Sequence, residues 1–240
     1  MGSEDTVQTG MQTTYGSVAP KAQREILVHA VLAGLTPLIP LPWVDDWARE
    51  GIHTRMVRAI AKAHEVTLYD ADARALGKET GPGGSLLYSA AKKLAFLPIK
   101  KLFRKALFVL VVKDMVEVAS HSYHVGYLID YAVGNGWHGT HAPQKLREAV
   151  DEVCRSADTS PVRRAFTSVF EESRELLGAA VEGARSWMGS KGEGHGREEG
   201  HPEEVEALAD RLLRVVNVLP PEHFEDLRAD LRKTLGVPTP

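Results

Sequence analysis

Hydrophobic residues recur every three to four positions along most of the chain, which places them on one face of an α-helix. The clearest stripe lies between residues 44 and 64 and consists of Ala48, Ile52, Met56, Ala59 and Ala63. No segment alternates polar and apolar residues between turn signals, as a half-buried strand would. The pattern therefore predicts an all-α protein, a helical bundle with a C-terminal helical hairpin.

Prolines and glycines predict where the helices begin and end. Pro20 suits the first turn of a helix, and Pro37 is expected to end that helix because proline has no backbone donor. Longer helices are predicted at about 20–35, 44–64, 85–95, 98–133, 142–156 and 161–188. The expected organisation is a disordered tail (1–19), a helical main domain (20–188), a flexible linker (189–201) and a helical hairpin (202–240).

The C-terminal hairpin carries an apolar stripe on each of its two predicted helices. A two-helix hairpin buries too little surface to be stable alone. We therefore expect it to dock on the main domain or on a partner chain. The residues expected to make that contact are Leu208, Leu212, Val215, Val216, Phe224, Leu227, Leu231 and Leu235.

Composition narrows the classes of protein. The 240 residues are 43% hydrophobic and 25% charged, with a formal net charge of −3. A globular core is expected, whereas no overall basic field or recognition motif favours nucleic acid. The single cysteine, Cys154, excludes an intramolecular disulfide and a multi-cysteine metal site. With no signal-peptide pattern and no apolar run of about 20 residues, a cytoplasmic protein is expected.

The predicted helix ending near residue 133 has a polar arc of carboxylates and imidazoles. Its four members, at spacings of three or four residues, are Asp114, Glu117, His121 and His124. One interpretation is a solvated face, which is what charged positions on a helix usually form. The alternative is a set of metal ligands, because a helix can direct side chains at this spacing to one point.

A metal site on that helix needs ligands from a second helix. The helix predicted at 44–64 offers Asp46, Glu50 and His53 on one side. Asp45 and Asp46 also suit the first helical turn, where an acid caps backbone donors, and His53 alone is typical of a boundary residue. Histidine with carboxylate suits zinc, manganese or iron, so a divalent metal is the cofactor that this hypothesis requires.

The segment "KKLAFLPIKKLFRKALF" is both basic and apolar. Its cations are Lys92, Lys93, Lys100, Lys101, Arg104 and Lys105. Such a pattern is typical of an interfacial membrane segment, of a partner-binding surface, or of a packed helix with extended lysines. An anionic membrane surface or a protein partner is therefore expected here, and a homo-oligomer is compatible with the same pattern.

The stretch from 37 to 68 resembles the EcsC/YcjF-like family of helical domains. The resemblance, which covers mainly residues 24–133, depends on "IPLP", Asp45 or Asp46, Met56 and "IAKAHEV". The family usually has glycine where Glu65 stands. Membership implies a helical domain that is often associated with membranes and frequently accompanies Era-like GTPase domains; no GTPase motif is present in this chain.

Two functional hypotheses follow. The first is a non-catalytic cytoplasmic helical module, peripheral to a membrane, that acts by binding a partner. It is favoured by the resemblance, by the basic apolar segment, and by the absence of a nucleophile-elbow motif. The second is a metal-binding helical protein or metal-dependent enzyme that uses the acid and histidine stripes of the two helices.

Overall fold

A computed structural model describes residues 20–39, 45–79, 105–190 and 200–238. These ranges contain no strand, which confirms the all-α prediction. Two short 3-10 helices occur at Thr36–Leu38 and Trp137–Gly139. The α-helices are α1 (Pro20–Leu35), α2 (Asp45–Ala63), α3 (Asp70–Gly77), α4 (Lys105–Gly134), α5 (Pro143–Ser156), α6 (Ser160–Glu172), α7 (Arg174–Ser190), α8 (Glu203–Val216) and α9 (Pro221–Leu235).

Helix α4 is the centre of the bundle. It contacts α1, α2, α5, α6 and α9, so little of its circumference reaches solvent. It lies close to α1 at Gly126, where an added Cβ would lie 2.7 Å from Cγ2 of Ile26 and 2.8 Å from Sδ of Met56. The missing side chain thus lets α1, α2 and α4 share one core. None of the described helices is long and apolar enough to cross a membrane.

The C-terminal hairpin lies against the body of the protein. Helix α8 packs on α1, α6 and α7, while α9 packs on α4 and α5. Gln23 donates from Nε2 to Oδ1 of Asn217 over 2.8 Å, which adds a polar contact between α1 and the end of α8. Of the eight residues predicted to make the contact, Val215 and Leu235 are partly buried, and the buried ones are Leu208, Leu212, Val216, Phe224, Leu227 and Leu231.

Two predicted helix boundaries need correction. The helix predicted at 161–188 is two helices, because the backbone turns at Ser173 (φ −106°, ψ 29°). This buried serine accepts a hydrogen bond from Nη1 of Arg211 over 2.8 Å, so α8 stabilises the break. Helix α7 continues to Ser190, inside the predicted linker. The helix predicted at 85–95 and the first residues of the one predicted at 98–133 lie outside the described ranges.

Helix α2 ends in a Schellman motif. The amide of Val66 donates to the carbonyl of Ala61 over 2.9 Å, and that of Glu65 donates to Lys62 over 3.2 Å. Glu65 has a φ of 57°, in the left-handed region that glycine usually occupies at this position. A glycine there, as in the family that the sequence resembles, would adopt the same backbone without a Cβ penalty.

Candidate metal centre

Three potential metal ligands meet where α1 faces the start of α8. Glu25 and His29 are one turn apart on α1, and His201 comes just before α8. One ligand atom from each side chain lies within 4.8 Å of those of the other two. Oε2 of Glu25 is 3.4 Å from Nε2 of His201 and 3.9 Å from Nδ1 of His29. These three residues are called the Glu-His-His cluster below.

Local helix geometry and the docking of α8 create the cluster. Residues four apart on a helix are neighbours on its surface, which brings Glu25 and His29 together. Arg24, next to Glu25, donates to Glu206 over 3.0 Å and to Asp210 over 2.9 Å, both on α8. This polar contact, together with the buried apolar face of α8, holds the residues that precede α8 against α1.

His29 is held in the form that binds metals. Its side chain is 2% exposed, and Nδ1 lies 2.8 Å from the backbone carbonyl of Glu25. A carbonyl can only accept, so Nδ1 carries the proton and Nε2 has a lone pair. Burial lowers the pKa of His29 to about 4, and repulsion from His201 adds to this shift. The imidazole is therefore neutral at pH 7, and the bond to Nδ1 orients it as carbonyls do for metal-ligating histidines.

Glu25 and His201 complete the cluster with one carboxylate and a second imidazole. The hydrogen bond from His201 lowers the pKa of Glu25, which is therefore ionised at neutral pH. Nδ1 of His201 is buried and has no hydrogen-bond partner within the described ranges. A buried polar atom without a partner lowers stability by about 1–3 kcal/mol. The cluster therefore contains one buried nitrogen whose hydrogen bond is not made.

Two imidazoles and a carboxylate suit zinc and other first-row divalent ions. In a tetrahedral zinc site with bonds of about 2.0–2.1 Å, ligand atoms lie about 3.3 Å apart. The 3.4 Å between Glu25 and His201 already matches that spacing. His29 would bind through Nε2, because Nδ1 is bonded to the Glu25 carbonyl, and three protein ligands leave a fourth position open for an outside molecule.

No three of the ligands predicted from the stripes on α2 and α4 come together among the described side chains. The Glu-His-His cluster is the only set of three acid, histidine or cysteine side chains there whose ligand atoms lie this close. Glu117 instead pairs with Arg163 of α6 over 2.6 Å, and Asp114 is partly exposed. The described side chains therefore supply no three-ligand site on these helices; the side chain of Asp46 lies outside the described residues.

His53 and His121 of that predicted site are near enough to repel each other's protons, whereas His124 has another partner. His121 is partly buried near Glu79, Arg49 of α2 and the Arg147–Asp151 pair of α5, and Glu50 is partly exposed on α2. His124 is buried, with Nε2 lying 3.1 Å from Nε2 of His223 on α9. The ring centroids are 5.3 Å apart, so the two nitrogens meet almost head-on and share one hydrogen. No third acid, histidine or cysteine ligand lies with this pair among the described residues, so it is not a candidate ion site.

His53 belongs to a buried polar network between α2 and α4. Its Nε2 lies 2.9 Å from Oγ of Ser122, and its Nδ1 is 3.9 Å from Oε1 of Glu79. Ser122, His53 and Glu79 thus follow one another as the nucleophile, base and acid of a serine hydrolase do. However, Ser122 and His53 are both buried, and Ser122 lies within α4, where backbone amides bond to the helix itself. Without oxyanion donors or access, the network supports a structural role.

The predicted basic surface lies mostly outside the described ranges. This applies to Lys92, Lys93, Lys100, Lys101 and Arg104, and also to the side chain of Lys105 in the first turn of α4. The adjoining turn of α4 exposes Val109 by 59% and Leu110 by 52%. Two neighbouring aliphatic side chains thus face solvent where the basic apolar segment joins the central helix.

Sequence reasoning missed the Glu-His-His cluster, although half of its signal was visible. Glu25 and His29 have the helical spacing of a ligand pair, but they lie in a segment dominated by apolar residues. His201 stands in the predicted linker, where no periodicity indicates which helix it will meet.

Comparison with known proteins adds no relative: no family model, curated protein or solved structure matches this chain. The resemblance to EcsC/YcjF-like domains therefore stays a prediction.

Proposed function

We propose that this chain is a metal-binding helical protein that holds a divalent first-row ion at the Glu-His-His cluster. The observation that supports this function is the convergence of Glu25, His29 and His201 from two elements far apart in sequence. Burial keeps His29 neutral, and Glu25 carries a negative charge. Both properties favour the binding of a cation over a proton at this site.

A bound ion would connect α1 to the segment that leads into α8. Because the ligands converge only in the folded protein, binding stabilises that state by an amount set by the ratio of free metal to Kd. At a metal concentration 100-fold above Kd, the gain is about 2.7 kcal/mol. The ion would therefore strengthen the docking of the C-terminal hairpin on the body.

Calorimetry and thermal unfolding test this proposal on the full chain after treatment with a chelator. We expect zinc to bind with a stoichiometry near one and to raise Tm. His201→Ala and Glu25→Gln should remove both effects. His141→Ala is the matched control, because this histidine lies in the loop after α4 and bonds to Thr140. Equal zinc binding by His201→Ala and the unaltered chain would overturn the proposal.

A second candidate function is the binding of an anionic membrane or a protein partner. It is favoured by the exposed Val109 and Leu110 beside the basic apolar segment. Anionic vesicles should bind the protein at low salt and release it as salt rises. Charge reversal at Lys100, Lys101, Arg104 and Lys105 should abolish binding, since each charge contributes about 1 kcal/mol. Failure to bind either anionic or neutral vesicles would exclude the membrane.

A further inference from the structure

Arg55 of α2 lies on the same edge of the protein as the Glu-His-His cluster. Its guanidinium carbon is 4.9 Å from the centre of the Trp187 ring. The ring of Trp187 is in turn 5.8 Å from that of His201, which packs at 5.0 Å against the ring of His29. Arg55 thus lies over Trp187, which contacts His201 in a tilted arrangement, and His201 meets His29 edge-on.

Arg55 has no carboxylate partner among the residues that the structure describes. Its neighbour on α2, Arg58, pairs with Asp70 over 2.9 Å. Glu204, at the start of α8, lies against Gly183 of α7. Arg55 is partly buried, and that burial lowers its pKa. A half-buried guanidinium that stacks on an aromatic ring keeps its in-plane donors available for an anion.

The charge balance of an occupied cluster also favours an anion. Glu25 supplies one negative charge, and an imidazole that binds an ion does so as a neutral ligand. A divalent ion therefore leaves net positive charge at the cluster, to which the cation of Arg55 adds.

We infer that the metal-loaded cluster takes an oxyanion as its outside ligand, with one oxygen on the ion and Arg55 donating to the others. This inference rests on the proposed metal site and names the class of molecule that fills its open position. Carboxylates and phosphates both match the planar fork of a guanidinium. Trp187 fixes the plane of that fork and adds an apolar wall beside the ligand.

Cobalt(II) is a suitable probe because an outside ligand on the ion changes its visible absorption. The full chain is loaded with one equivalent of cobalt and titrated with inorganic phosphate and, separately, with acetate. We expect Arg55→Gln to bind cobalt but to need at least about tenfold more anion for the same spectral change. Arg58→Gln is the matched control, one turn along α2, and should behave like the unaltered protein. Arg55→Lys keeps the charge without the fork and should lie between them.

The outcomes separate the two proposals. If cobalt does not bind to the unaltered chain, the metal site itself is wrong. If cobalt binds but neither anion changes its spectrum, or if Arg55→Gln and Arg55→Lys both respond like the unaltered protein, the oxyanion inference is overturned. A response at lower phosphate than acetate assigns the site to phosphate-bearing ligands, and the reverse order assigns it to carboxylates.

Discussion

Replacing Phe224 by alanine tests whether the C-terminal hairpin is part of the folded body. The side chain is 0% exposed, and its ring centre lies 5.0 Å from that of Tyr127 on α4. The backbone carbonyl of Phe224 also accepts a hydrogen bond from the Tyr127 hydroxyl over 3.5 Å. Removing a buried phenyl ring costs about 3–5 kcal/mol, because the lost burial is added to the cavity that remains. For a chain of this size, that corresponds to a fall in Tm of roughly 10 °C.

Urea unfolding followed by circular dichroism measures this cost. Val218→Ala is the control, since Val218 lies in the turn between α8 and α9, is 81% exposed, and should change stability by less than about 0.5 kcal/mol. We expect one cooperative transition for the unaltered chain. A loss below about 1 kcal/mol in Phe224→Ala, with an unchanged m-value, would show that the hairpin does not share the core of the body.

Three further substitutions have directions that the structure determines. Burial raises the pKa of Asp130 to about 6, so the folded state binds this proton more tightly than the unfolded state and loses stability as pH rises from about 4 to 6. Asp130→Asn, which keeps an acceptor for His64, should raise the free energy of unfolding in urea at pH 7.5 by on the order of 1 kcal/mol and have no effect near pH 4; equal gains at both pH values would contradict this. Arg147→Ala should lower the free energy of unfolding by about 3–5 kcal/mol, because the buried Asp151 loses its cation. The double variant with Arg147→Met and Asp151→Leu should lose less in the same assay, because no buried charge is left unpaired. Gly126→Ala should lower the free energy of unfolding by about 1–3 kcal/mol, because the added methyl group overpacks against α1. An unchanged Tm would refute the close approach of the two helices.

The spacing of apolar residues was sufficient to predict the helices, because a helix is stabilised by contacts between residues three and four positions apart. Helix α1 begins at Pro20 and ends at Leu35, as its prolines and apolar stripe predict. The break at Ser173 could not be predicted in this way, because the hydrogen bond that stabilises it comes from Arg211, 38 residues away.

The polar arc on α4 shows the limit of periodicity. The pattern predicts correctly that His121 and His124 lie on a similar side of the helix, but it contains no information about which element covers each residue. In the folded protein, α9 places His223 against His124, and α6 places Arg163 against Glu117. Residues on one arc thus have different environments, and no three of the predicted ligands with described side chains converge.

For the candidate centre, the sequence alone determines that Glu25 and His29 are neighbours, since the rise and turn of one helix place residues four apart on the same surface. The sequence also determines that the hairpin must pack against another surface, because its apolar stripes are too large to remain exposed to water. Only the tertiary structure decides that α8 packs on α1 and so brings His201 to the same point. That choice depends on how the two helix surfaces fit together over many small contacts, and no local pattern in the chain encodes the fit.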